Sequence, residues 1–151
     1  TEKGVIWVKT PTMFLRYVNK ERELDERGFF CTNDIGFLQN GELVITGRKD
    51  NMISIGSHNV FPEEVEEIIH RKEGVEECVV IGVEDAVYGH KLVCVYQGQN
   101  IYVTEFRKYC MNYLAIYEIP KVFLCVDEIP KNSNGKIQRD KVYLLYRQMG
   151  E

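Results

Sequence analysis

The spacing of apolar residues along this chain changes near residue 50. Before it, apolar runs are short and separated by turn-forming residues. Residues 4–8 (GVIWV) predict a strand, Pro11 a break, and Met13-Phe14-Leu15-Arg16-Tyr17 an aromatic-aliphatic patch. Asp25-Glu26-Arg27-Gly28 predicts a turn into Phe29-Phe30-Cys31-Thr32. Asn40-Gly41, flanked by Gly36-Phe37-Leu38-Gln39 and Glu42-Leu43-Val44-Ile45, predicts a hairpin because both turn residues tolerate positive φ. Three or four strands without a helix do not easily close a core. Residues 1–46 therefore read as part of a larger sheet or barrel.

Beyond Asp50, strands alternate with amphipathic helices. A short Gly-punctuated strand pair precedes a helix that starts at Pro62, with Glu63, Glu64, Glu66 and Glu67 where the helix dipole favours negative charge. His70, Arg71 and Lys72 fall in its last turn, and Gly74 can end it. Residues 75–83 (VEECVVIGV) are almost continuously apolar, which predicts a central strand, and residues 91–97 predict another. Thr104 is placed to cap a helix whose Phe106, Tyr109, Cys110, Tyr113 and Leu114 form one stripe. A third strand follows over residues 121–127, then a helix from about Asp140 with Val142, Leu145, Tyr146 and Met149 on one face. The order β-α-β-β-α-β-α predicts an α+β fold. It consists of a small mixed-sheet domain with flanking helices over residues 50–151, preceded by an incomplete β-subdomain over residues 1–49.

Composition narrows the function classes. With 44% apolar and 28% charged residues the chain is of the soluble globular type, and no apolar run approaches the roughly 20 residues of a membrane span. A net charge of −4 and the lack of any run of five basic residues speak against a nucleic-acid binder. Five cysteines without a CxxC pair write neither a zinc ribbon nor a redox motif, and three lie in apolar runs. Reduced, buried thiols favour a cytoplasmic protein. The three histidines have no ligand-like spacing, so no metal site is expected.

Three places can carry chemistry. Pro130-Lys131-Asn132-Ser133-Asn134-Gly135-Lys136 is a polar loop whose lysines suit phosphate or carboxylate oxygens and whose amides can help bind an anion; a solvated turn is the alternative. Gly47-Arg48-Lys49-Asp50 offers an arginine for phosphate or ribose, with Asp50 at the change of texture where a hinge belongs; a charged turn with a surface ion pair is the alternative. Asp34 can hold ribose hydroxyls, or can be an Asx-type turn residue. From the residues alone this is an anion-binding, two-part chain.

Two of these stretches resemble a known family. GRKDNMISIGSHNVFPEEVEE is similar to the GRxDxxI…G…I.P.EIE segment of the adenylate-forming superfamily: acyl-CoA synthetases, nonribosomal-peptide adenylation domains and luciferases. PKNSNGKIQR resembles its C-terminal signature PK…[SN]GKI.R, and the intervening VEECVVIGVEDAVYGHKLVCVY and the upstream GFFCTNDIGFLQNGELVITGR also match, in order. The resemblance implies that Asp34 holds the ATP ribose hydroxyls, that Arg48 contacts ribose and phosphates, and that Asp50 is the hinge of a mobile C-terminal domain. It implies that Lys136 reaches the α-phosphate and the substrate carboxylate during adenylation. It also implies that Ser54, Gly56 and Ser57 line a pantetheine tunnel, where a missing side chain lets the thiol arm pass close to backbone. Two positions depart from the pattern. The family's TGD reads Thr32-Asn33-Asp34, and the position after Ile53, often Lys, is Ser54.

The resemblance further implies an AMP-forming acyl-CoA ligase with a fatty acid as substrate. ATP and coenzyme A would be bound, with Mg2+ held mainly by an N-terminal domain absent from these residues. This chain would be the C-terminal portion, inactive alone, with that domain as its partner and with self-association through exposed strands of residues 1–46. An amino-acid-activating domain that loads a carrier protein is one alternative. A non-catalytic binding or regulatory module is the other.

Overall fold

The computed structural model describes residues 3–13 and 24–149. The chain divides into two compact units between Asn51 and Met52. In the first, β1 (Gly4–Val8), β2 (Phe30–Gln39) and β3 (Glu42–Arg48) form an antiparallel sheet in that order. The predicted hairpin is present, with φ of 53° at Asn40 and 86° at Gly41, the left-handed pair that matches strand twist. The Asp25 turn is held by its own carboxylate, which accepts the amides of Arg27 and Phe29 at 2.9 and 2.8 Å. Of the large apolar side chains described in this unit, Ile35 alone is buried, while Leu38, Leu43 and Ile45 are exposed. The patch at Phe14-Leu15-Arg16-Tyr17 lies outside the described residues. A single 3-10 turn, Lys49–Asn51, ends the unit.

The second unit matches the α+β expectation. A two-stranded ribbon, β4 (Ile53–Ile55) and β5 (His58–Val60), precedes α1 (Pro62–His70), β6 (Val75–Asp85), β7 (Gly89–Gly98), α2 (Val103–Met111), β8 (Val122–Cys125) and α3 (Arg139–Met149). The main sheet is mixed: β6 and β7 are antiparallel, and β8 joins β7 in parallel through the α2 crossover. β7 is central and β6 an edge strand, which corrects the expectation for residues 75–83. The apolar run there reflects burial on both faces instead. Cys78 and Val80 belong to the apolar layer formed with Val65 and Ile69 of α1 and Phe106 and Cys110 of α2. Val79, Ile81 and Val83 belong to the opposite layer, with Val142 and Tyr146 of α3. Phe106 is fully buried, stacked on Phe123 at 4.5 Å and edge-on to Tyr96 at 4.9 Å. Its truncation to Ala would cost about 3–5 kcal/mol.

Helix ends differ from expectation in detail. Pro62 is at the first position of α1, but Lys72 lies past its end. Tyr102, not Thr104, is the N-cap of α2, so Thr104 is inside the first turn. Tyr113 lies past the end of α2 and is exposed, and Met149, the last residue of α3, is exposed because that helix buries only Val142 and Tyr146.

Candidate functional site

In the first unit a β-bulge builds the site. Ile35 pairs with Gly47 but Gly36 pairs with Ile45, so Thr46 is an extra residue on β3. The bulge sets Arg48 directly opposite Asp34, where Nη1 of the guanidinium meets Oδ1 of the carboxylate at 3.2 Å. Nη2 of Arg48 reaches Oδ2 of Asp50 at 3.3 Å, and Asn33 Nδ2 donates to the same oxygen at 3.5 Å. Asn33 takes φ 60°, the conformation that a glycine in its place would supply without strain. The amide of Asp34 donates to Thr32 Oγ1 at 3.1 Å, fixing the turn. Asp34, Arg48 and Asp50 are thus brought together, partly exposed: an acceptor for hydroxyls beside a forked donor for phosphate oxygens.

In the second unit, the Gly135 loop is a tight hairpin organised by Asn132. Its Oδ1 accepts the amides of Asn134 and Lys136 at 3.0 and 2.9 Å, and its carbonyl accepts that of Gly135 at 2.9 Å. Those amides are therefore spent internally, which corrects the expectation that they help hold an anion. The two lysines also separate. Lys131 Nζ pairs with Glu77 Oε2 at 2.7 Å, whereas Lys136 is exposed and, among the described residues, its ammonium has no ion pair.

The β4–β5 ribbon is laid down by two close approaches. A Cβ on Gly82 of β6 would stand 2.9 Å from Ile53 Cγ2, so the missing side chain lets β4 rest on the sheet. Gly56, with φ 57°, donates its amide to the Tyr88 carbonyl at 2.8 Å, and His90 Nδ1 lies 3.2 Å from the Ser54 carbonyl. Between this turn and the sheet is a cavity of about 480 Å³ whose lining includes Gly56, Ser57, Tyr88, Lys91, Tyr117 and Lys121. His58 stacks flat on Tyr117, centroids 3.9 Å apart and planes 2° from parallel. Asp85 also faces the cavity, its carboxyl held below the usual range mainly by the Tyr88 and Val87 amides. Of the three predicted tunnel residues, Gly56 and Ser57 line this cavity. The Ser54 hydroxyl instead donates to Asn59 Oδ1 at 3.4 Å. Tyr88, Lys91, Tyr117 and Lys121 were invisible as a group in the sequence, since separate loops and strands contribute them. Among the described residues no cluster of three or more His, Cys, Asp or Glu side chains is disposed to hold a metal ion. No described helix is long and apolar enough to cross a membrane.

Residues 64–136 match the AMP-binding enzyme C-terminal domain. That segment belongs to the AMP-binding enzyme C-terminal domain family. Among relatives in this family, the uncharacterized acyl-CoA ligase YhfT of Bacillus subtilis (strain 168) is 37% identical over 93% of this chain and 29% of its own length. The 2-succinylbenzoate–CoA ligase of Geobacillus sp. (strain WCH70) is 32% identical over 95% of the chain and 31% of its length. The putative long chain fatty acid-CoA ligase VraA of Staphylococcus aureus (strain COL) is 29% identical, over 95% and 31%. Among solved structures, o-succinylbenzoate CoA synthetase (MenE) from Bacillus subtilis with its acyl-adenylate intermediate superposes with a TM-score of 0.86 at 30% identity, over 93% of this chain and 30% of that one. ATP-bound MatB from Rhodopseudomonas palustris gives 0.84 at 29% identity, over 99% and 31%. The chain thus spans 29–31% of the length of these curated relatives.

Proposed function

We propose that this chain is the C-terminal part of an AMP-forming acid–CoA ligase, which joins a carboxylic acid to ATP as an acyl-adenylate and then passes the acyl group to coenzyme A. The observation that carries this reading is the exposed Lys136 ammonium, without an ion pair among the described residues, on the arm of the hairpin that Asn132 organises. Attack on an α-phosphate builds negative charge, and a positioned ammonium stabilises it. Asp34 and Arg48 would take the ribose hydroxyls and phosphates, and Asp50, in the turn just before the division between units, would be the hinge. Residues 1–49 would complete an N-terminal domain supplied by the rest of the protein, which would also hold most of the Mg2+–ATP.

Coenzyme A would be bound by the second unit. Gly56 offers a bare backbone for the pantetheine arm, and the adjacent cavity sets lysines and aromatic rings where a nucleotide end needs cations and stacking. A fatty acid is our first assignment for the acid. An aromatic dicarboxylic acid is the second reading, favoured by the 2-succinylbenzoate ligases among the relatives. Five cysteines without a disulfide suit a reducing cytoplasm.

The test is to assay the full-length protein with ATP, CoA and a panel of acids. AMP release together with a CoA thioester supports the ligase reading and identifies the acid. AMP release without CoA consumption moves the assignment to carrier-protein loading, and no AMP with any acid moves it to a non-catalytic module.

A further inference from the structure

Arg139, the first residue of α3, stands three positions after Lys136 and is half-buried. Its Nη1 meets Glu66 Oε1 at 2.7 Å and donates to the Val80 carbonyl at 2.7 Å; Nη2 reaches Glu66 Oε2 at 3.1 Å and Glu63 Oε1 at 3.5 Å. Glu66 Oε1 also accepts the Val80 amide at 2.7 Å. One guanidinium thus ties the start of α3 to α1 and β6 through a forked, charge-assisted contact, the strongest kind a side chain makes. The other side of the loop is fixed as well. Ile129 is fully buried, with its amide on Gln97 Oε1 at 2.8 Å, and Lys131 pairs with Glu77 of β6 at 2.7 Å. Lys131 and Ile137 close the hairpin as a β-bridge. With both ends anchored to the sheet, the backbone of Lys136 has little freedom of its own.

We infer that Arg139 is a positioning residue for adenylation. Through Glu66 and Val80 it makes the Lys136 hairpin one rigid body with α1 and β6, so the lysine is placed by the orientation of the whole unit rather than by a search of the loop. The inference rests on the role proposed for Lys136. A misplacement of about 1 Å is enough to cost about a hundredfold in rate.

The test compares Arg139→Gln, Arg139→Lys and Lys136→Ala in the full-length protein, measuring acyl-adenylate formation and thioester formation from supplied acyl-adenylate. Arg139→Gln is expected to lower kcat for adenylation by about ten- to a hundredfold, with KM for ATP and the thioester step changed by less than about threefold. Arg139→Lys, which keeps the charge and loses the fork, is expected to fall in between, and it carries the test if the Gln variant does not fold. Equal loss in both half-reactions, in step with the folded fraction, would reduce Arg139 to a stability residue and overturn the inference. So would normal adenylation by Arg139→Gln while Lys136→Ala is crippled. If Lys136→Ala adenylates normally, it is the Lys136 role that fails.

Discussion

Gly56 and Gly135 allow a matched pair of substitutions. Each has positive φ, 57° and 77°, and a Cβ added at either meets no atom closer than 3.9 Å. Gly56→Ala and Gly135→Ala therefore cause no clash and differ from wild type in the fold only by left-handed strain, about 1–2 kcal/mol each. For a unit of about 100 residues that lowers the melting midpoint by about 5–15 °C, similarly for both. Their effects on chemistry should separate. The new methyl at residue 56 stands at the cavity assigned to the pantetheine arm, so thioester formation should fall at least about tenfold with adenylation largely spared. The methyl at residue 135 strains the hairpin that carries Lys136, so adenylation should fall while thioester formation is spared. Thermal melts of this chain and separate half-reaction assays of the full-length protein read all these quantities. Loss of the same half-reaction in both variants, with comparable melts, would refute the division of labour between the two loops.

Other outcomes follow from single sites. Asn33→Gly should hold stability within about 1 kcal/mol, since glycine takes φ 60° freely, whereas Asn33→Val should lose about 2 kcal/mol and weaken ATP binding; equal melts for the two would contradict the strain reasoning. Burial pushes the Cys110 thiol up to about 11 from 9.0, so the native state keeps a proton that the unfolded chain releases. The Cys110 contribution to stability should be fully present below about pH 9 and be lost from there toward pH 11, and Cys110→Ala should make that decline shallower in denaturant midpoints taken across the range. Leu38 and Leu43 are cross-strand partners, 64% and 52% exposed, so self-association of this chain, followed by sedimentation against concentration, should drop in Leu38→Lys/Leu43→Glu. Unchanged sedimentation would place association elsewhere.

Local chemistry explains what was legible beforehand. Asn40-Gly41 and Pro62 with its following acids each dictate their own geometry, and both elements stand where the sequence put them. Burial on two faces and strand order leave the same apolar signature, so β6 read as central until the sheet was seen. The bulge at Thr46, which turns Arg48 toward Asp34, depends on register and leaves no mark in composition. Lys131 and Lys136 look alike in the chain; only the approach of Glu77, more than fifty residues upstream, tells them apart. The same holds for Arg139, whose partners lie on α1 and β6.

The most direct test is Lys136→Ala in the full-length protein, with acid-dependent pyrophosphate release and thioester formation from supplied acyl-adenylate measured side by side. Loss of one positioned charge should slow acyl-adenylate formation by about a hundredfold or more, with the thioester step within about threefold of wild type. Equal loss in both steps, or none in the first, would contradict the role of Lys136.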